Sequence, residues 1–414
     1  MRLTSLLIVS LAACASGSAQ GTASPKAASR IAAQKGQPAR ALPSALTDSL
    51  QSILDRGVVD SAFPGAIAVI GDHNGPIATA AAGHLDWAPS PVPNDRTLWD
   101  LASLTKVVGM TSAMMQLVEQ GKVDLDAPAQ RYLPEWQGTN KEKVTVRDLI
   151  THRSGLPAFK TYYKLNLSPD STLRLFFATP LDTLPRVRMV YSDIGAILLG
   201  KIVERVSGQR LDQYLAQHVF GPLGMTDTQY RPDSSLLSRI APTERDPWRG
   251  RLVHGEVHDE NAYALGGISG HAGLFSTAHD LSRLAQAYLN GGTLDGARFV
   301  KASTIRQFTT VEDSTFSSRA LGWDTPSDRS SAGHFIERPA FGHTGFTGTS
   351  LWIAPQHDLY VLLLTNRVNP TRERSGIGRV RVQVADAAMR VLHPDVVAAI
   401  EARRGSSSSS PRQP

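Results

Sequence analysis

The chain has 414 residues, 41% apolar and 19% charged, enough to bury a large core in one big domain or two intimate subdomains. Its formal charge of +6 comes from scattered arginines, with no basic run interleaved with aromatics, which argues against a nucleic-acid partner. Cys14 is the only cysteine, so an internal disulfide and a cysteine-built metal site are excluded.

Met1-Arg2 gives a short positive start and residues 6–11 an apolar core too short to span a bilayer, the pattern of a signal peptide. Leu11-Ala12-Ala13-Cys14 resembles a bacterial lipobox, in which the cysteine is lipidated; the alternative is a cleaved secretory signal with an incidental cysteine. Ala15, rather than Asp, points to outer-membrane sorting in a host with two membranes. The expectation is an exported, periplasmic monomer that meets the membrane only through a lipid on Cys14.

Residues 1–14 are thus the leader, and 15–43, rich in Ala, Ser, Gly, Gln, Lys and Pro, a flexible tether. Leu46, Leu50, Ile53 and Leu54 recur at helical spacing and predict a helix over 44–59. Strands are predicted over 64–71 and 77–86, joined by the turn Asp72-His73-Asn74-Gly75-Pro76. Patterns from 99 to about 290 are mainly helical. Strands return at 341–344, 350–354 and 359–365, followed by an amphipathic helix over 380–403 and a disordered tail over 404–414. The folded domain is therefore 44–403. Strands at both ends predict an α+β fold, one antiparallel sheet from N- and C-terminal pieces with terminal helices on one face and a mainly helical insertion on the other. The site is expected at their junction.

Three segments carry chemistry. Ser103-Leu104-Thr105-Lys106 opens an apolar helical stretch over 103–120, with Gly121 placed to end it. Three residues apart on a helix, Lys106 lies on the face of Ser103, so a weak hydroxyl nucleophile has a partner one turn away. Taken alone, the same tetrapeptide also fits a helix cap with a solvated lysine. Tyr191-Ser192-Asp193 precedes an apolar helix over 194–206, and Ser192 or Asp193 suits its N-cap. Phe341-Gly342-His343-Thr344-Gly345-Phe346 lies on a late strand with a glycine bend.

In this order and context, the three segments resemble the S-x-x-K, Y-x-N and K-T-G motifs of the serine β-lactamase and penicillin-binding-protein superfamily. The closest type is its class C-like branch of D-alanyl-D-alanine carboxypeptidases and esterases. Leu149-Ile150-Thr151-His152-Arg153-Ser154-Gly155-Leu156-Pro157 is a further family-like stretch, as are 221–225 and 270–278. The resemblance covers about 45–395. It implies a β-lactamase/transpeptidase-like fold, no cofactor and no metal. Ser103 would be the acylated nucleophile, Lys106 its proton partner with a pKa lowered by burial, and Tyr191 the proton shuttle. The backbone N–H groups of Ser103 and Phe346 would form the oxyanion hole.

Two departures stand out. Asp193 replaces the motif's Asn and is expected to pair with Lys106, holding it charged and shifting the base role toward Tyr191. His343 replaces Lys, and a histidine titrating near neutrality predicts better acylation by anionic substrates near pH 6 than pH 8. Thr344, Gly345, Asp193, His343 and His271 are the expected substrate contacts. His254 and His258 stand four residues apart, but Gly255 and the turn signals around it favour a pocket-wall loop over a metal site. Ser276, Thr277 and Asp280 read as a helix N-cap. The expected substrate is a D-Ala-containing peptidoglycan peptide, a β-lactam or a small ester. The remaining alternatives are a promiscuous carboxylesterase and a penicillin-binding sensor without turnover.

Overall fold

The computed structural model describes residues 41–328 and 330–408. The leader, Cys14, the tether up to residue 40 and the tail from 409 lie outside them.

Strands β1 (Gly65–Asp72) and β2 (Gly75–Gly83) form the first hairpin. Two short central strands follow, β3 (Trp99–Asp100) and β4 (Leu274–Ser276), which pair with one another. The late strands are β5 (Phe341–Thr344), β6 (Ser350–Ala354) and β7 (Leu359–Thr365), at the predicted bounds. The main sheet is antiparallel throughout, in the order β5-β6-β7-β1-β2. Its two sequence halves meet where Ala66 pairs with Thr365 and Ile70 with Val361.

Alternation explains why this sheet is covered on both faces. Ala66, Ala68 and Ile70 of β1, with Leu359, Val361 and Leu363 of β7, share one apolar cluster with the terminal helices. Ile67 and Val69, with Tyr360, Leu362 and Leu364, face the helical insertion instead. The terminal helices are α1 (Ala41–Val59), α6 (Ile377–Leu392) and α7 (Pro394–Ser408). Leu46, Leu50 and Leu54 of α1 are fully buried, as their spacing predicts.

Two expectations need correction. The single helix over 380–403 is two helices, because Pro394 lacks an N–H and biases the residue before it away from helical angles. His393 accordingly sits at φ −135°, ψ 54°. The tail also begins later than composition suggests: α7 runs on to Ser408, with Arg404 Nη2 donating to the His334 carbonyl. Among the described residues no helix is long and apolar enough to cross a membrane.

In the insertion, the stretch over 103–120 is helical but not uniform. A 3₁₀ turn at Ala102–Leu104 leads into a π-helical segment at Lys106–Thr111 and then α2 (Ser112–Glu119). Helix α3 (Asp193–Ser207) is capped by Ser192, whose hydroxyl accepts from Gly195 N, and ends at Gly208 in the left-handed region. Helix α4 (Glu260–Ala264) is capped by Asp259, and α5 (Ala278–Leu289) by Thr277, accepting from Asp280 N as predicted.

Candidate active site

Three pieces of chain distant in sequence converge beside the edge strand β5: the turn into α2, the start of α3 and the end of β5. Ser103, Tyr191, His343, Thr344, Gly345 and Phe346 line one pocket of ≈310 Å³, joined by Arg319, Arg367, Ile377 and Arg381.

Lys106 is buried beneath it, with its ammonium fully engaged. Nζ donates to Ser103 Oγ at 3.0 Å and to the His271 carbonyl at 3.1 Å, and lies 2.7 Å from Asp193 Oδ1. Burial alone would lower the pKa of Lys106. The Asp193 carboxylate, helped by Tyr191, outweighs that and raises it above a free lysine's. The structure thus overturns the expectation of a depressed lysine and supports the expected Asp193 pair. Held as a cation by the Asp193 carboxylate, Lys106 has no lone pair with which to take the Ser103 proton.

Tyr191 stands over this cation, its ring centroid 4.9 Å from Lys106 Nζ and 5.0 Å from the Arg319 guanidinium. Its hydroxyl is buried and has no hydrogen-bond partner among the described residues. His152 packs on it at 4.6 Å and accepts from Ser192 N through Nδ1, fixing the backbone next to Tyr191. That gives the family-like stretch around His152 a positioning role that its sequence alone did not disclose.

His343 is buried, with Nδ1 2.8 Å from the Thr344 carbonyl. Burial, then the cations of Arg319 and Lys106, push its pKa well below the ordinary histidine value. Burial and these cations therefore oppose protonation of the ring, against the expected switch between pH 6 and pH 8. Positive charge comes instead from arginines that show no sequence signal. Arg381 Nη2 donates to the carbonyls of Gly345 and Thr349, and burial, then Arg367, lowers its pKa to about 10. Arg367 Nε donates to the Phe346 carbonyl. Arg319 Nη1 and Arg381 Nε are buried with no partner among the described residues.

Gly345 is a steric necessity, since a Cβ there would lie 2.3 Å from the Leu101 carbonyl and 2.1 Å from Thr349 Oγ1. That close approach brings the Phe346 backbone beside the Ser103 turn, where the two proposed oxyanion donors belong. On the Ser103 side, Ala102 adopts φ 45°, a left-handed conformation costing roughly 1 kcal/mol for a residue with a Cβ.

His271 lies behind Lys106, off the pocket wall. Its Nδ1 is 2.7 Å from Ser269 Oγ and its Nε2 2.9 Å from Asp259 Oδ1, so both ring nitrogens are engaged. Burial works against the Asp259 charge, but His271 more than compensates and holds this carboxyl below its usual range. His254 and His258 go separate ways: His254 Nε2 meets the carbonyls of Leu237 and Ile240, and His258 Nε2 meets Glu244 at 2.8 Å.

A model of the Beta-lactamase family matches residues 50–386. An N-acetylmuramyl-L-alanine amidase of Bacillus subtilis (strain 168) is 34% identical over 358 residues, covering 77% of this chain and 80% of the relative. A putative D-alanyl-D-alanine carboxypeptidase of Salmonella gallinarum is 34% identical over 303 residues, covering 66% and 69%. Among solved structures, a penicillin-binding protein homolog from Caulobacter crescentus superposes with a TM-score of 0.70 at 20% identity, covering 84% of this chain and 98% of its own. EstCE1, a hydrolase with promiscuous acyltransferase activity, gives 0.67 at 22%, covering 84% and 99%. These two likenesses show the fold. The family match, with relatives above 30% identity across two thirds or more of their length, decides the rest: the chain belongs to the Beta-lactamase family and is a serine hydrolase.

Proposed function

We propose that the protein is an exported, lipid-anchored acyl hydrolase that forms an acyl-enzyme on Ser103 with substrates bearing a carboxylate near the scissile bond. D-Ala-terminated cell-wall peptides and β-lactams are the substrate class. The reading is carried by one observation: Lys106 joins Ser103 to Asp193 under a pocket whose wall holds Arg319 and Arg381 with donors to spare. An anionic group seated there would satisfy both guanidiniums.

In this mechanism Ser103 Oγ attacks the carbonyl carbon and its proton passes to the Tyr191 oxygen as Tyr191 gives up its own hydroxyl proton toward the leaving group, because the Lys106 ammonium cannot accept one. That relayed proton completes the leaving nitrogen or oxygen as the acyl bond breaks, and Tyr191 ends the step as a neutral phenol. Water then attacks the ester carbon, its proton goes to the Tyr191 oxygen as Tyr191 hands its own to Ser103 Oγ, and the C–O bond to Ser103 breaks to release the acid. Lys106 and the two N–H donors stabilise the charge that develops at each step.

Export is supported by the signal-like start and by relatives named for N-acetylmuramyl-L-alanine and D-alanyl-D-alanine bonds. The second reading, a carboxylesterase for neutral esters, is favoured by the uncharged His343 and by Phe346, 49% exposed at the mouth.

Intact mass spectrometry with a fluorescent penicillin and a nitrophenyl ester, beside Ser103→Ala, tests these readings. Labelling of wild type alone supports the acyl-enzyme. A long-lived penicillin adduct would instead mark a sensor, and ester turnover with no adduct an esterase.

A further inference from the structure

The mechanism above does not use Asp100, a carboxylate buried at the end of β3. Its Oδ1 accepts from Ala102 N at 2.7 Å, and its Oδ2 from His258 N at 2.6 Å. Its own carbonyl accepts from Thr347 Oγ1 at 2.7 Å, and the next carbonyl, Leu101 O, from Thr349 Oγ1 at 3.1 Å. The His258 ring stacks on Phe346 with centroids 5.9 Å apart. These contacts close a ring. From Asp100 the path runs through His258 to Phe346, along the chain to Thr347, and back to the Asp100 carbonyl.

We propose that Asp100 is the positioning residue of the oxyanion hole, locking the backbone of the Ser103 turn and of Phe346 into one rigid frame. This role rests on the acyl-enzyme reading above. The two donors come from segments about 240 residues apart in sequence, and a misplacement of ~1 Å is enough to cost about 10²-fold in rate. Ala102 at φ 45° is not a conformation its side chain favours, so the turn needs a tie, and the carboxylate provides it two residues upstream. A carboxylate is required because both partners are N–H donors. Asparagine would set its NH₂ against one of them.

The full chain is compared with Asp100→Asn and Thr347→Val for hydrolysis of a nitrophenyl ester and for inhibition by phenylboronic acid. The boronic acid adds to Ser103 as a tetrahedral adduct with an oxygen in the hole. For Asp100→Asn the expected result is a 10- to 100-fold lower kcat, a KM within about threefold, and a boronate affinity weakened by the kcat factor. Thr347→Val should move the same way by a smaller factor. A purely structural role predicts a lower Tm with kcat and boronate affinity intact, and that outcome overturns the proposal. If Asp100→Asn does not fold, an unchanged kcat in Thr347→Val overturns it too. A wild type without Ser103-dependent turnover would sink the acyl-enzyme reading itself. An active wild type with indifferent variants sinks only the role of Asp100.

Discussion

Lys106 Nζ sits 2.7 Å from Asp193 Oδ1 and 3.0 Å from Ser103 Oγ, so the lysine beside the nucleophile is half of a buried ion pair. Its side chain is 2% exposed and that of Asp193 28%. The charge state of the site follows from this pair.

Asp193→Asn removes the main charge that offsets burial and leaves Tyr191 as the remaining support, so the Lys106 pKa falls and a new ionisation should enter the pH–rate profile. At neutral pH the variant should lose about 3 kcal/mol, the low end for breaking a buried pair, because Asp193 is partly exposed. The lysine's folded pKa is raised, so its contribution is complete below the ordinary lysine value and is lost only as pH rises through the folded one. Urea titrations at pH 7 measure the loss. Faster turnover with an unshifted pH profile would count against the pairing argument.

Tyr191→Phe should lower kcat by about 10²–10⁴-fold while leaving Tm within a degree or two. The hydroxyl has no hydrogen bond to lose among the described residues, and the ring keeps its tilted packing on His152. Thermal melts run beside ester kinetics separate the two effects. A large drop in Tm would show that the hydroxyl is structural.

Arg319→Gln should cut kcat/KM for a penicillin by about 10–100-fold, the worth of one charge-assisted hydrogen bond, and change a neutral ester by less than about threefold. Arg319 is the right test because its nearest carboxylate, Asp324, is 3.8 Å away, whereas Arg381 also ties down two carbonyls. Equal losses on both substrates would remove the anion-site argument.

His152 and His343 are both buried, and burial first, then Arg319 and Lys106, hold each well below its ordinary pKa. The unfolded chain therefore binds protons that the folded one refuses. From these two rings, stability is full above about pH 6.5 and falls below it, with a limiting slope of about 2.7 kcal/mol per pH unit. His343→Gln should halve that slope. Penicillin acylation should change less than about twofold between pH 6 and 8 on account of His343. Urea midpoints across pH 5–7 give the slope, and a slope unchanged in the variant would mean His343 is not a buried neutral ring.

What the sequence determined by itself is what short-range geometry encodes. Ser103 and Lys106 had to share a helix face because they stand three apart, and β6 and β7 kept their predicted bounds because runs of apolar residues must be covered on both sides. Ser192 and Thr277 cap helices because a hydroxyl reaches N–H groups three residues ahead. Pro394 was a legible break that the amphipathic spacing obscured. Only the tertiary structure decided the electrostatics. Arg319, Arg367 and Arg381 belong to separate loops and helices, and nothing in their neighbours marks them for one pocket. Burial, not residue type, makes His343 neutral, and the carboxylate brought by α3 makes Lys106 a cation. Desolvation and charge pairing are sums over everything packed around a group, so a linear pattern can name the groups but cannot set their charge.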